Sequence, residues 1–285
     1  MLRTNMRTVN AEGRNAMGNP LRVLFCSAMV LLVMSPAAMA QKPEIQPPTV
    51  KPGPAPAPAA RHDISGVWAG PLLPALYAVP AMTPWGEEQF KRNKSNGDYV
   101  VSTANDPLSK CDPMGFPRNV LYQDRGIEFA ETATKMLELW QYQKVWREIW
   151  KDGRALPKNV GADTPDAPDV KYYGYSVGHW DGDYTFVIET NGTDDRTWMD
   201  NEAHPHSGDL SAEERYTRVN HDSLKMEISI NDPKAYTKPW LAAKADFVWL
   251  PKQEFEEQLC IPSDAAEYFT IIASPAGAPS KQGQH

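Results

Sequence analysis

The chain has 285 residues, a formal net charge of −7 at pH 7 and 41% hydrophobic residues. This length suits one large domain or two small ones. The acidic balance disfavours a nucleic-acid partner, because contacts to phosphates need clustered lysine and arginine side chains, and it disfavours anionic lipid for the same reason.

The first forty residues predict an export signal. Four arginines precede the apolar run VLFCSAMVLLVM, and SPAAMA follows it, with Ala38 and Ala40 at the small-residue positions of a cleavage site. Cleavage after Ala40 would place the mature protein in the periplasm or outside the cell. The apolar run is short for a membrane span, so no integral membrane segment is expected in the mature protein.

The cysteine content predicts one disulfide bond. Cys26 leaves with the signal, which leaves Cys111 and Cys260. Two cysteines in an oxidising compartment most simply pair, and two buried thiols are the alternative. A disulfide that closes so long a loop would add roughly 3–5 kcal/mol to the free energy of unfolding, less any strain.

Composition divides the remaining chain into three parts. Residues 41–62 are expected to form a proline-rich linker, since seven of the twenty residues from 41 to 60 are proline. The folded domain is expected over residues 63–269. The tail, residues 270–285, is expected to be disordered because it offers little to bury.

Most of the domain has the patterns of β-strands. One helix is expected over TPWGEEQFKRNK, where Thr83 can cap and Pro84 can take the first position. The aromatic and branched run 127–154 favours two strands with a turn near residues 141–144 over one long helix. Asp181-Gly182 predicts a two-residue hairpin turn, and RYTRVNHDSLKMEISI predicts a second hairpin. KADFVWL and EFEEQLCI predict two further strands.

Sequential strands joined by short turns form a meander, and a meander of this size usually closes into a barrel because closure removes exposed edges. The predicted fold is therefore all-β: a closed antiparallel meander β-barrel, lipocalin-like, with one or two short helices.

Several motifs resemble those of a widespread family of exported bacterial proteins. The segments are YSVGHWDGDYTFVIET, then HSGDLSAEERY, then INDPKAYTKPW, with NDPLSKCDPMGFPR earlier in the chain. DISGVW also resembles the Gly-x-Trp opening of lipocalin-like barrels, where the Trp68 position plugs the closed end. The resemblance covers nearly all of residues 63–262. It implies an exported protein with a barrel fold, and it implies no reaction.

The segment NEAHPHSGDL supplies the candidate catalytic residues. His206, expected at the mouth or inner wall of the barrel, is a candidate acid/base, with Glu202, Asp209 or Glu214 as the carboxylate that could orient it. A metal held by His204 and His206 is the alternative, because residues i and i+2 of an extended segment face the same way. Metal sites need three or four ligands, and no further spacing supplies them, so neither a metal nor another cofactor is predicted.

The candidate binding residues are one arginine and several aromatic residues. Arg147 lies among apolar residues, so it must either pair with Glu138, Glu189 or Glu214, which is favoured, or bind an anionic ligand group. The chain has nine tryptophans, which could fill a wide barrel or line a cavity for an aromatic ligand. The residues assigned to this cavity are Trp140, Trp146, Trp180, Trp198 and Tyr142.

The expected function is to hold an apolar or aromatic small molecule inside the barrel. One alternative is an isomerase, lyase or hydrolase on the same barrel that uses His206. Another is a cell-envelope interaction module, which would follow if the interior is filled. The sequence leaves the oligomeric state open.

Overall fold

The computed structural model describes residues 57–71, 73, 76–94, 105–121, 126–268 and 270–271. The predicted export signal, most of the predicted linker and the predicted tail from residue 272 onward lie outside the described residues.

Within the described residues, nine strands form one closed barrel in which each strand pairs with the next along the chain and the last pairs with the first. This confirms the predicted closed barrel. The strands are β1 (Gly66–Ala69), β2 (Ile127–Glu131), β3 (Lys135–Trp140), β4 (Val145–Trp150), β5 (Tyr175–Asp181), β6 (Thr185–Asn191), β7 (Ser211–Asn220), β8 (Ser223–Asn231) and β9 (Trp240–Trp249).

One strand pair departs from the expected antiparallel meander. β4 and β5 run parallel and share two paired positions, Ile149 with Ser176 and Trp150 with Val177. The reason is the long connection 151–174, which returns the chain to the end of the barrel where β4 began. A parallel pair requires such a crossover, whereas the short turns elsewhere impose antiparallel pairing.

The turn at residues 141–144 reverses the parity of the inward-facing positions. Trp140 pairs with Val145 and Glu138 pairs with Arg147, so even positions face inward on β3 and odd positions face inward on β4. Side chains of paired residues lie on the same face of a sheet. Trp140 and Trp146, which have the same parity in sequence, therefore point to opposite sides of the wall.

Three local predictions need correction. The run 127–154 contains three strands, because the chain also turns at residues 132–134 between β2 and β3. Asp181 stays in β5 and pairs with Thr185, so the loop of this hairpin has three residues rather than two. EFEEQLCI is not a strand, since its residues are mostly exposed and its one sheet-like contact is a bridge between Tyr142 and Gln258.

The described helices are α1 (Pro84–Asn93), α2 (Arg118–Leu121) and α3 (Pro262–Tyr268), with a 3₁₀ turn at Pro107–Lys110. α1 begins as predicted: the hydroxyl of Thr83 accepts a hydrogen bond from the Gly86 amide, and Pro84 follows the cap. α2 and α3 add to the one or two helices expected; both are short. No described helix has the length and apolar character needed to cross a membrane.

Side chains fill the barrel interior. Trp68 of β1 is fully buried, and its indole N–H donates to the Ile64 carbonyl. Around it the inward positions of the strands form one apolar cluster that includes Phe129, Phe186 and Phe247. These large side chains pack against one another, as expected for a close-packed interior.

Cys111 and Cys260 form a disulfide bond, with their Cα atoms 5.4 Å apart. This confirms the predicted pairing. Cys111 follows the 3₁₀ turn, and Cys260 lies in the segment between β9 and α3 rather than at the end of a strand. The bond therefore fastens the C-terminal segment to the loop that precedes α2.

Candidate functional site

The parallel pair opens a cleft in the barrel wall. β4 and β5 share two paired positions, and a space of about 690 Å³ lies beside this pair, mostly along the residues that precede it on both strands. The connection 151–174 and the segment around Asp194 form the remaining walls. We call this space the β4–β5 cleft; it is lined by Trp146, Arg147, Glu148, Trp150, Arg154, Ala155, Leu156, Pro157, Val170, Lys171, Tyr172, Tyr173, Gly174, Tyr175, Ser176, Val177, Asp194 and Arg196.

Aromatic rings form part of the cleft wall. Five of the lining side chains are aromatic: Trp146, Trp150, Tyr172, Tyr173 and Tyr175. Trp146 is 60% exposed on the outward face of β4, which leaves most of its indole ring open to the cleft and to solvent. Concave sites with aromatic walls and a few polar groups are typical of small-molecule binding sites.

Three cations around the cleft lie over aromatic rings. The Arg154 guanidinium lies 3.4 Å from the centroid of Trp150. The Lys171 ammonium lies 4.0 Å from the ring centroid of Tyr175. The third is Arg196, 5.2 Å from the ring of Tyr172. Such contacts hold long cationic side chains in place through the electron-rich face of the ring.

Arg147 forms the inner end of the cleft and belongs to a buried ion cluster. Its Nε donates to Glu138 Oε2 at 3.0 Å, and its Nη2 lies 2.7 Å from Glu214 Oε2. Nη1 donates to the hydroxyl of Thr190 at 3.2 Å. The Tyr216 hydroxyl lies 3.2 Å from Glu138 Oε1 and 3.1 Å from Glu214 Oε1. The expected internal pairing of Arg147 is confirmed with Glu138 and Glu214.

The ion cluster contains two carboxylates and one guanidinium. Burial raises the pKa of Glu138 to about 7 and also raises that of Glu214, while Arg147 acts in the opposite direction on both. Removal from water disfavours the charged form of a carboxyl group. At acidic pH one carboxyl can therefore hold a proton, which makes the cluster neutral.

His206 is fully buried in the connection between β6 and β7. Its Nε2 lies 2.8 Å from the hydroxyl of Thr197, which itself donates to the Asp194 carbonyl. Its Nδ1 lies 3.4 Å from the hydroxyl of Thr193. Burial lowers the pKa of His206, because it disfavours the charged imidazolium. The ring thus joins distant positions of the single connection between β6 and β7 through hydrogen bonds.

The structure does not assemble the expected catalytic group. Glu202 and Asp209 have exposed side chains, whereas His206 is buried among threonines. Asp200, which sequence reasoning missed, instead lies 2.6 Å from Nδ1 of His204. Hydrogen bonds from nearby backbone amides hold Asp200 in place. The acid/base role of His206 stays a prediction, to which these contacts lend no support.

The described residues contain no group of three or more His, Cys, Asp or Glu side chains arranged to hold a metal ion. For the alternative of a metal held by His204 and His206, the described residues supply no third ligand. His204 stacks on Phe90, with ring centroids 5.2 Å apart, and its ring pairs with Asp200.

Ser207, Asp232 and Tyr236 make structural contacts around His206. The Ser207 amide and hydroxyl donate to the two oxygens of Asp232, at 2.6 and 2.7 Å. The Tyr236 hydroxyl donates to the carbonyl of Pro205 at 2.8 Å. These bonds fix the segment 205–207 against the start of the turn before β9.

The residues expected to bind a ligand separate into two groups. Arg147 and Trp146 line the β4–β5 cleft, and Trp140 stacks on Tyr173 of its wall at 6.0 Å. The others lie elsewhere: Trp180 packs between His62 and Phe186, Trp198 lies beneath Arg118, and Tyr142 lies in the turn after β3. A common interior cavity lined by all of them is not formed, because the inward positions pack together.

Sequence reasoning missed the cleft residues at the end of the long connection and the start of β5. Lys171, Tyr172, Tyr173 and Tyr175 lie in the segment VKYYGYSVG. One sequence feature could have identified these residues. Three tyrosines cluster around Gly174, directly after a segment rich in proline, glycine and aspartate. Gly174 has a φ of 65°, and a Cβ there would lie 2.5 Å from the Asn191 carbonyl oxygen. This close approach positions the tyrosines at the start of β5.

Replacing His206 by alanine should lower the free energy of unfolding by about 2–3 kcal/mol, because buried partners lose their hydrogen bonds and a cavity remains. Urea unfolding followed by tryptophan fluorescence measures the change. His179→Ala, the same substitution at an exposed position of β5, should change it by about 0.5 kcal/mol or less. If His206→Ala were as stable as the wild type, this ring would not anchor the connection between β6 and β7.

Comparison with known proteins gave no match to a protein-family model, to a curated protein or to a solved structure.

Proposed function

We propose that this protein is an exported barrel that binds an aromatic small molecule in the β4–β5 cleft. The observation that carries the proposal is the presence of five aromatic side chains in the lining of a cleft of about 690 Å³ beside the parallel pair of β4 and β5. Sites for small ligands typically measure roughly 300–1,000 Å³.

The site proposed differs from the barrel interior expected from the sequence. Trp68, Phe129 and Phe186 occupy the interior together with the other inward side chains. The cleft in the wall offers Trp146 with much of its ring exposed, so a flat ligand can stack on it without displacing core side chains. Offset stacking of aromatic rings contributes about 0.5–1.5 kcal/mol beyond the area that it buries.

The disulfide bond supports an exported location. Disulfides persist in oxidising compartments and are rare in the cytosol, where reducing systems keep thiols free. Cys111 and Cys260 lie within bonding distance in the folded domain. Together with the predicted signal of residues 1–40, this supports a periplasmic or secreted protein.

Binding of 2-naphthoate, measured by isothermal titration calorimetry, tests the proposal. The wild-type protein should bind one equivalent, and Trp146→Ala should weaken binding about tenfold, because the ligand loses its stacking surface. The fold should persist in this variant, since the ring it removes is largely exposed.

Tyr184→Ala is the matched control, because Tyr184 is a partly exposed aromatic residue in the β5–β6 loop and does not line the cleft. It should bind 2-naphthoate as the wild type does. Absence of saturable binding in the wild type, or equal losses in the two variants, would refute the proposed site.

A further inference from the structure

We infer that the ligand of the β4–β5 cleft carries a carboxylate beside its aromatic ring and that Lys171 recognises this group. This inference rests on the proposed function and specifies the chemistry of the ligand. It comes from the balance of charges around the cleft.

The arginines at the rim are already neutralised. The Asp152 carboxylate accepts hydrogen bonds from Nε and Nη2 of Arg154, at 2.9 and 2.6 Å. Asp194 accepts from Arg196 in the same way, with Nε at 2.9 Å. Each guanidinium therefore has a carboxylate across two of its donors, and little of its charge remains for a ligand.

The other charged groups of the cleft are also paired. Arg147 lies between the carboxylates of Glu138 and Glu214. Glu148 accepts a hydrogen bond from the ammonium of Lys135 at 2.8 Å. At neutral pH the inner end of the cleft thus carries no surplus positive charge.

Lys171 is different. Among the described residues its ammonium makes a cation–π contact with the ring of Tyr175 and has no carboxylate within 4.0 Å. Its backbone is fixed on both sides: its amide donates to the Gly192 carbonyl, and its carbonyl accepts from the Asp194 amide, each at 3.0 Å. The cation is therefore held at the cleft without a counter-ion from this part of the chain.

An unpaired ammonium next to aromatic walls favours a ligand that has both a ring and an anionic group. The ring can stack on Trp146, and the anion can pair with Lys171, since both side chains line the same cleft. An aromatic carboxylate is the simplest ligand of this kind.

Paired titrations with 2-naphthoate and its neutral analogue 2-naphthamide test the inference. The wild type should bind the carboxylate about tenfold more tightly than the amide, which corresponds to one charge-assisted contact. Lys171→Gln should bring the affinity for 2-naphthoate to that for 2-naphthamide and leave the amide affinity unchanged. Lys171→Arg, which keeps the charge, should retain most of the preference.

Lys158→Gln is the control for net charge, because Lys158 is exposed on the same connection and does not line the cleft. It should keep the wild-type preference. Equal affinities of the wild type for the two probes, or a preference that survives in Lys171→Gln, would overturn the inference while the proposed function stands. Failure of both probes to bind would overturn the proposed function as well.

Discussion

Replacement of Arg147 by methionine should lower the free energy of unfolding by about 3–5 kcal/mol at pH 8, because it leaves two buried carboxylates without their cation. Glu138 and Glu214 are both fully buried, and both bond to this guanidinium. Methionine keeps much of the length of the side chain, so the loss reports mainly the missing charge. Urea unfolding at fixed pH measures it.

The same loss should shrink to about 1–2 kcal/mol at pH 5, where the two carboxyl groups can hold protons and become neutral. The free energy of unfolding of the wild type should also rise between pH 8 and pH 5, by less than that of the variant. The folded-state pKa of Glu138 is raised from 4.5 to about 7, so its contribution to stability is complete below about pH 4.5 and is lost as the pH rises towards 7.

Two further variants separate charge from packing. The triple variant Arg147→Met, Glu138→Gln, Glu214→Gln should recover most of the stability lost at pH 8, because no buried charge remains. Arg215→Met removes a partly exposed arginine from β7 and should cost about 1 kcal/mol or less. A loss in Arg147→Met that is equal at pH 5 and pH 8 would show that the cluster acts through packing alone.

Removal of the Cys111–Cys260 disulfide bond should have the second large effect on the free energy of unfolding. The double variant Cys111→Ala, Cys260→Ala should lower the free energy of unfolding by roughly 3–5 kcal/mol, because the bond spans 149 residues and restricts the unfolded chain. Thiol titration of chains that begin after residue 40, under denaturing and non-reducing conditions, should find no free thiol.

The bond should also govern local opening of the C-terminal segment. Residues 250–268 are largely exposed, and besides the disulfide the hydrogen bond from the Gln143 backbone amide to the Gln258 carbonyl is one of the contacts that hold them. Trypsin should therefore cleave after Lys252 faster in the double variant than in the wild type. Two free thiols in the wild type, or identical unfolding midpoints in the two proteins, would contradict the prediction.

The sequence by itself was sufficient for the features that local chemistry controls. Strand alternation from Leu224 to Ile230, the Thr83 cap and the turn at residues 141–144 all follow from neighbouring residues, and the structure has each of them. The closed barrel could be predicted because every strand has a partner on both sides once the first strand pairs with the last. No edge strand is then exposed. The even number of cysteines that remains after the predicted signal was sufficient to predict the disulfide bond.

The tertiary structure decided what depends on register and on distant partners. A four-residue turn sends Arg147 inward and Trp146 outward, and no composition or periodicity of the run 127–154 determines this choice. The long connection 151–174 makes one pair parallel, and this opens the cleft that gathers Trp146, Lys171 and Tyr175. The burial of His206 beside Thr193 and Thr197 depends on how the connection between β6 and β7 folds, which no local pattern of the sequence determines.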